Sequence, residues 1–229
     1  MRTNLPYVYA AILDVLGYRQ RLEEDRNKAS LDFKDELHRA LQSLNTFNEA
    51  TYSYQAISDT IILTCSDRDN FIEFLQVLKE IMIAFLKENL FIRGGVAYSQ
   101  HFKSGQITYS HAIAKAHEIE SNMALYPRIV VDHNIIEMFK SSNDISDLIN
   151  SNLVCILNSA YFINILDEYN WREVYLCARK LYEHDKEFLL KHEVEFSKHD
   201  WFENYIFTSP YADQSLDRYI PQIRLLEFD

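Results

Sequence analysis

The stretch from Tyr9 to Tyr18 constrains the fold of this chain more than any other part of it. It continues an apolar run that starts at Tyr7, a pattern typical of a β-strand covered on both faces. Asp14 follows that run, Gly17 turns the chain three residues later, and a charged helix starts near Arg19. A carboxylate at the end of a buried strand costs free energy unless a cation or hydrogen bonds stabilise its charge. The stretch therefore predicts a buried strand that ends at a functional or capped carboxylate.

A second carboxylate, Asp59, lies at a polar turn between two β-type runs, 52–57 and 61–64, which together predict a hairpin. If Asp14 and Asp59 converge, they form a site for hard divalent cations with open positions for phosphate oxygens. In the alternative interpretation, Asp14 caps a helix and Asp59 is an ordinary turn residue. Either acid alone fits that alternative better, whereas the pair in this context favours a cation site.

Apolar periodicity predicts the elements of the first part of the chain. After the first strand we expect a helix, a second helix, the hairpin, an amphipathic helix, a strand with two adjacent glycines, a short β-excursion, a helix and a last strand. The ranges from the second helix onward are about 31–48, 52–64, 69–89, 91–98, 100–108, 110–125 and 128–131. This is the ferredoxin-like βαββαβ order of an α+β fold. The pattern predicts the fold class and says nothing of the function.

Beyond residue 132 the sequence predicts an α-rich segment. We expect two short helices over 133–150, a strand over 153–157, a long helix over 171–192 and a closing strand over 219–228. No linker or repeat separates this part from the rest. The predicted organisation is a domain of residues 1–140, with residues 141–229 as an α-rich extension packed on the same domain.

Composition narrows the classes of function. The net charge of −11 argues against binding to nucleic-acid polymers, although bound metal ions would still allow a nucleotide substrate. Three widely spaced cysteines are typical of free thiols in a cytosolic protein. The N-terminus lacks the features of a signal peptide, and no uncharged stretch is long enough to span a bilayer. We therefore expect a soluble cytoplasmic protein without membrane partners.

Several motifs, taken in order, resemble a known family. The segment Ile12–Tyr18 resembles the first metal-binding strand of class III nucleotidyl cyclases, Ser58–Ile61 the second metal motif, and Ile92–Val96 the Arg-x-Gly-Ile strand. The segments Ile113–Glu120 and Tyr126–Ile129 are similar to those of the Pycsar-type pyrimidine cyclases of bacterial antiphage defence. No single motif is diagnostic, but the ordered set covers more than half of the chain.

This resemblance implies a metal-dependent site. Asp14, Asp59 and the backbone carbonyl of Val15 would hold two Mg²⁺ or Mn²⁺ ions. One ion would acidify the ribose 3′-hydroxyl, and the other would bind the triphosphate of a nucleoside triphosphate substrate. Backbone amides at the start of the next helix would face the β- and γ-phosphates, namely those of Leu16, Gly17 and Tyr18.

The departures from purine cyclases are as informative as the matches. Ala114 and Glu118 stand where those enzymes carry an Asn and an Arg, and Gln55 and Ile107 stand where they read the purine with a Lys and an Asp. Loss of the purine-reading pair argues against ATP or GTP. We expect Gln55 and its neighbour Tyr54 to read a pyrimidine, since Gln offers both a donor and an acceptor; an ordinary strand position for Tyr54 is the alternative.

Positive charge for the transition state must then come from other residues. The candidates are Arg93, Lys115 and Arg128, and a salt bridge that stabilises the fold or the surface is an equal alternative for each. Because class III sites lie between two subunits, the resemblance also implies a homodimer. In that homodimer, the helix that contains Glu118 would border the metal site of the partner subunit, and Glu118 would orient an Arg or a Lys.

The sequence thus predicts a homodimeric cyclase that converts CTP or UTP to cyclic CMP or cyclic UMP and pyrophosphate. The product would activate a separate effector in antiphage defence. Three alternatives remain open: a purine cyclase with rearranged base contacts, a catalytically silent cyclase-like domain that senses a nucleotide, and a ferredoxin-like interaction module with incidental carboxylates.

Overall fold

A computed structural model describes residues 5–46, 48, 50–104, 107–142, 144–223 and 225. The chain forms two compact units, residues 1–165 and 166–229. The strands that the structure describes all belong to the first unit. They are Tyr7–Val15 (β1), Tyr52–Ile57 (β2), Thr60–Cys65 (β3), Ile92–Ser104 (β4), Ile107–Ser110 (β5), Ile129–Val131 (β6), Val154–Leu157 (β7) and Ala160–Ile163 (β8).

Six α-helices of the described residues belong to the first unit and two to the second. Those of the first unit are Tyr18–Lys28 (α1), Asp32–Gln42 (α2), Phe71–Lys87 (α3), His111–Met123 (α4), His133–Ser141 (α5) and Ile145–Asn150 (α6). Those of the second unit are Trp171–Leu189 (α7) and Glu193–Thr208 (α8). Within the described ranges, no helix has both the length and the apolar character needed to cross a membrane.

The first strand lies in the middle of the sheet, as its apolar sequence predicts. The strand order is β2-β3-β1-β4-β6-β8-β7, and β5 pairs with β4 outside this path. Strand β1 is antiparallel to both of its neighbours, β3 and β4. In this register Asp14 lies opposite Thr60 on one side and Arg93 on the other. The pairing therefore brings the end of β1, the β2–β3 turn and the start of β4 to one place.

Helix α4 lies in direct contact with β4 because two glycines leave room for it and for β1. A Cβ atom on Gly95 would lie 2.3 Å from the carbonyl oxygen of Ala116 in α4. A Cβ atom on Gly94 would lie 2.5 Å from the carbonyl oxygen of Ile12 in β1. Neither distance is compatible with a side chain. The two glycines therefore mark a close approach of neighbouring backbones, as glycines inside a strand often do.

The second unit is held together by a buried carboxylate as well as by apolar contacts. Glu203 of α8 is 0% exposed and accepts hydrogen bonds from the amides of Tyr219 and Ile220, at 2.6 and 2.8 Å. Arg218 donates to the other oxygen of Glu203 at 3.2 Å. The indole of Trp171 donates to the carbonyl oxygen of Ile206 at 2.9 Å and thus joins α7 to α8. These bonds fix residues 218–220 against α8.

The α+β architecture with a helical C-terminal part is confirmed, as are the hairpin at Asp59 and the helices over 69–89 and 110–125. The predicted helix over 31–48 is too long, since α2 ends at Gln42 and a short 3-10 turn, Ser43–Thr46, follows. The sequence did not predict β8 or α8. The predicted strand over 219–228 is wrong for residues 219–223 and 225, and the remaining positions lie outside the described residues.

The boundary expected after residue 140 stays a prediction. In the structure, β7 and β8, over residues 154–163, extend the same sheet that contains β1. Along the chain, the division between the two compact units falls between Ile165 and Leu166.

Candidate functional site

The two candidate metal-binding acids lie at neighbouring points of the backbone. Asp14 is next to the last residue of β1, and the amide of Val15 donates to the carbonyl oxygen of Asp59 at 2.9 Å. That bond joins the end of β1 to the turn between β2 and β3. Both acidic side chains are half-buried. The fold therefore brings the backbone at Asp14 next to the backbone at Asp59, which the sequence places 45 positions apart.

Arg93 connects Asp14 to helix α4. Its Nε donates to Oδ2 of Asp14 at 2.9 Å, and its Nη2 lies 2.8 Å from Oε1 of Glu120. Its Nη1 also donates to the carbonyl oxygen of Ala124 at 3.2 Å. The side chains of Arg93 and Asp14 are 25% and 24% exposed, so water screens this ion pair only in part. The Asp14 carboxylate is thus already bound to a cation of the protein itself.

The surroundings of Asp14 disfavour its charged form overall. Burial raises the pKa of Asp14 above its ordinary value, and the charges of Glu120 and Asp59 raise it further. The hydrogen bond and the charge of Arg93 lower the pKa of Asp14 but do not cancel the effect of burial. An additional positive charge at this point would stabilise the carboxylate. The electrostatics therefore suit a site that takes up a cation.

The three predicted phosphate-binding amides are not equivalent. The amide of Leu16 donates to the carbonyl oxygen of Phe91 at 2.9 Å, so this amide is already used by the sheet. Gly17 is the residue that precedes α1 and has φ +76°, and Tyr18 is the first residue of that helix. Amides in the first turn of a helix lack an acceptor within the helix and can bind an anion. The Gly17 and Tyr18 amides fit the predicted role.

The other two predicted cationic residues, Lys115 and Arg128, have contacts away from Asp14. Lys115 lies 3.0 Å from Glu118 on the exposed side of α4, a surface salt bridge of the kind that the alternative interpretation expects. The role expected of Glu118 beside a partner's metal site stays a prediction. The Arg128 guanidinium lies over the rings of Tyr126 and Phe162, at 5.8 and 5.5 Å from their centroids. It also donates to a carbonyl oxygen at the end of α4. Arg93 is therefore the predicted cation that the fold brings to Asp14.

The predicted base-reading residues line a cavity of about 350 Å³. Tyr54 and Gln55 of β2 form one wall of it, and Ala114 of α4 forms another. Thr108 of β5 and Lys103 of β4 also line this cavity. Residues that the sequence aligns with base reading and with the missing Asn of purine cyclases thus share one space, which is large enough for a small heterocycle.

Sequence reasoning did not assign a role to Glu120. The signal was nonetheless present in the helical spacing, since Glu120 follows Ala112 and Ala116 at intervals of four residues. Both alanines are fully buried against the sheet. A carboxylate on the apolar face of an amphipathic helix requires a buried partner. That partner is Arg93.

The residues present fit a divalent cation held by few protein ligands. In the part of the chain that the structure describes, no group of three or more His, Cys, Asp or Glu side chains is arranged to hold a metal ion. Asp14 and Asp59 offer the hard oxygen ligands that Mg²⁺ and Mn²⁺ prefer, and Mg²⁺ sites commonly combine one or two carboxylates with substrate phosphates. The guanidinium at Asp14 marks that position as one that accepts positive charge.

No protein-family model matches this sequence, and no curated protein matches it. Among solved structures, a bacterial light-regulated adenylyl cyclase is 10% identical over 78% of this chain and 99% of its own, with a TM-score of 0.49. A guanylyl cyclase domain of Blastocladiella emersonii is 12% identical over 69% and 95%, with a TM-score of 0.41. A GTP complex of a guanylate cyclase domain from Catenaria anguillulae is 11% identical over 70% and 97%, with a TM-score of 0.39. These values are too low to support a function.

Proposed function

We propose that this protein is a nucleotidyl cyclase that converts CTP or UTP to the 3′,5′-cyclic monophosphate and pyrophosphate. The observation that carries the proposal is the backbone hydrogen bond that joins the turn at Asp59 to the end of β1 beside Asp14, with Arg93 bound to the Asp14 carboxylate. Two carboxylates beside an arginine match the chemistry of phosphoryl transfer, which needs cations and fixed positive charge around the phosphorus.

Each residue of the site has a distinct role in this proposal. Asp14, Asp59 and the Val15 carbonyl would hold Mg²⁺ or Mn²⁺, which when bound supplies acidity to the 3′-hydroxyl and charge to the leaving pyrophosphate. The amides of Gly17 and Tyr18 donate to phosphate oxygens. Because the attack is intramolecular, holding the ribose and the α-phosphate in line accounts for much of the rate.

Base selection is assigned to the cavity beside β2. Gln55 offers one donor and one acceptor, which suits the edge of either cytosine or uracil if the amide flips. Tyr54 provides an aromatic surface that fills space a purine would need. A buried purine edge without partners would be costly in a cavity that lacks the Lys and Asp pair. We therefore expect a pyrimidine substrate, with no preference between C and U.

The functional assembly in this proposal is a cytoplasmic homodimer whose product activates a separate effector in antiphage signalling. Exposed apolar side chains near the cavity support a covered face: Ile57 of β2, and Ile107 and Tyr109 of β5. The concentration dependence of specific activity tests the dimer, because a site shared by two subunits loses activity on dilution.

A silent nucleotide sensor is the second candidate. Ala114 and Glu118 favour it, because neither can supply the transition-state contacts of the Asn and Arg that purine cyclases use. Retention of both Asp14 and Asp59 favours the enzyme. Binding of a nucleoside triphosphate without turnover would decide for the sensor.

The deciding experiment is incubation with each of the four nucleoside triphosphates and Mn²⁺, with products identified by mass spectrometry. We expect kcat/KM for CTP or UTP to exceed that for ATP or GTP at least about tenfold, equivalent to about 1.4 kcal/mol in transition-state binding. Asp14→Asn and Asp59→Asn should each abolish turnover, whereas Glu137→Gln on the exposed side of α5 should not change it. A purine within a few-fold of the best pyrimidine would overturn the base assignment, and turnover in either Asp variant would overturn the site.

A further inference from the structure

Glu120 contacts Arg93, and Arg93 in turn contacts Asp14 of the proposed cation site. We infer that Glu120 is a positioning residue: it shares the Arg93 guanidinium with Asp14 and thereby sets how readily a divalent cation takes the place of that guanidinium. The inference rests on the proposed function, since it takes Asp14 as a cation ligand.

The first support is the set of contacts around the Glu120 carboxylate, which is 6% exposed. Oε1 lies 2.8 Å from Arg93, but the contact is not aligned as a hydrogen bond, so it is ionic in character. Oε2 accepts a hydrogen bond from the Ser121 hydroxyl at 2.9 Å and lies 3.4 Å from Nδ1 of the exposed His117. Arg93 is therefore the permanently charged partner of this buried carboxylate.

The second support is the rigidity of the backbone that carries Glu120. A Cβ atom on Gly95 would lie 2.7 Å from the amide nitrogen of Glu120, so α4 rests on β4 at this residue. Ile119, the preceding residue, belongs to the apolar cluster between α4 and the sheet. Helix α4 cannot carry the carboxylate away without breaking this packing. Of the groups in the cluster, the Arg93 guanidinium ends the longest side chain and can change its contacts by side-chain rotation alone, without a movement of the backbone.

The third support is the balance of charge. Asp14 and Glu120 carry two negative charges and Arg93 carries one positive charge, so the cluster has room for one more positive charge. A divalent cation at Asp14 repels the guanidinium, and Glu120 keeps a binding place for it a few ångströms away. Without the charge of Glu120, Arg93 would have Asp14 as its one carboxylate partner in the cluster and would compete with the cation. Loss of that charge should therefore weaken cation binding.

The experiment measures Mn²⁺ binding to the full chain without nucleotide, by the electron paramagnetic resonance signal of free Mn²⁺. Asp14→Asn defines the loss of the site. We expect Glu120→Gln to raise the Kd for Mn²⁺ about tenfold, because a full charge is lost in a partly buried cluster. Arg93→Gln should lower the Kd, because the competing charge is gone. Glu137→Gln, an exposed Glu on another helix, is the matched control and should leave the Kd unchanged.

The opposite directions of the two effects separate positioning from a merely structural role. If Glu120 and Arg93 only stabilise the fold, both variants lose Mn²⁺ affinity together with unfolding free energy. A further measurement is Glu120→Gln in the Arg93→Gln background, where we expect the loss of affinity to shrink, since the guanidinium through which Glu120 acts is absent. An equal loss in both backgrounds would overturn the inference.

The outcomes also separate this inference from the proposed function. If Asp14→Asn abolishes Mn²⁺ binding and Glu120→Gln behaves like Glu137→Gln, the inference fails and the cation site stands. If the wild-type chain binds no Mn²⁺ that depends on Asp14, both fail. Should Arg93→Gln not fold, the comparison of Glu120→Gln with Glu137→Gln tests the inference by itself.

Discussion

In the part of the chain that the structure describes, two glutamates are buried, Glu120 and Glu203, and their partners differ in kind. Glu203 in the second unit accepts two backbone amides, whose positions are fixed by the chain. Glu120 in the first unit is surrounded by side chains, of which Arg93 also binds Asp14. Backbone donors hold the Glu203 carboxylate in one place, and Arg218 donates to its other oxygen. The guanidinium shared by Glu120 and Asp14 belongs to a side chain, and in our inference it moves toward Glu120 when a cation binds at Asp14.

Loss of the fixed carboxylate should have the largest effect on stability. Glu203→Ala leaves the amides of Tyr219 and Ile220 without an acceptor and should lower the free energy of unfolding of the second unit by about 4 kcal/mol. Urea denaturation followed by tryptophan fluorescence measures this unit selectively, because both tryptophans of the sequence, Trp171 and Trp201, lie in it. A loss below about 1 kcal/mol would contradict the role given to Glu203.

The next largest effect concerns the contact between β4 and the part of α4 that carries Glu120. Gly95→Ala places a methyl group against the backbone of α4 and should cost about 3 kcal/mol, since neither backbone can yield without moving the sheet or the helix. Gly17→Ala is the comparison, because a Cβ there meets nothing closer than 4.0 Å and its cost comes from the φ of +76° alone, about 1 kcal/mol. Far-UV circular dichroism during urea denaturation measures both. Equal costs would show that α4 has room to move away from β4.

The smallest effect is the pH dependence of Glu203. Burial raises the pKa of Glu203 above its ordinary value of 4.5, and the hydrogen bonds and Arg218 oppose that shift without cancelling it. An acid with a raised pKa in the folded state binds more protons there, so its contribution to stability is full below pH 4.5 and declines as the pH rises through the folded pKa. Glu203→Gln should remove that decline. Urea denaturation at pH 4.5 and at pH 7, followed by tryptophan fluorescence, measures the free energy of unfolding at each pH. If Glu203→Gln loses as much unfolding free energy between these pH values as the wild type does, the decline belongs to other groups.

The elements that the sequence predicted are those whose signals are local. The apolar run of β1 and the polar turn at Asp59 need no knowledge of distant residues. Ser110 caps α4, with its hydroxyl accepting from the amide of Ile113 at 3.1 Å, and a serine at the start of a helix is a local signal of this kind. Strand β8 is only four residues long and is defined by pairing with β6 and β7, which a local pattern does not contain. Its one local signal is the turn at Asn158 and Ser159, both of which have positive φ.

The errors near the C-terminus have the same origin. The apolar alternation after Tyr219 resembles a strand, but the amides of Tyr219 and Ile220 bond to Glu203 rather than to a neighbouring strand. In the candidate site, Asp14 and Asp59 could be named from sequence because each lies at the end of a regular element. The contact between Arg93 and Glu120 could not be named, since it depends on how α4 is placed on β4.

The central position of β1 also determines the order in which the chain can fold. Ile12 pairs with Ile62 on one side and with Gly95 on the other, so β1 is synthesised well before either of the strands with which it pairs. Contacts between distant residues require closure of long loops and slow the formation of the native sheet. In a nascent chain that ends before β4, the apolar strand β1 lacks one of its two neighbours and has an unpaired edge. Such edges aggregate, and chaperones bind them.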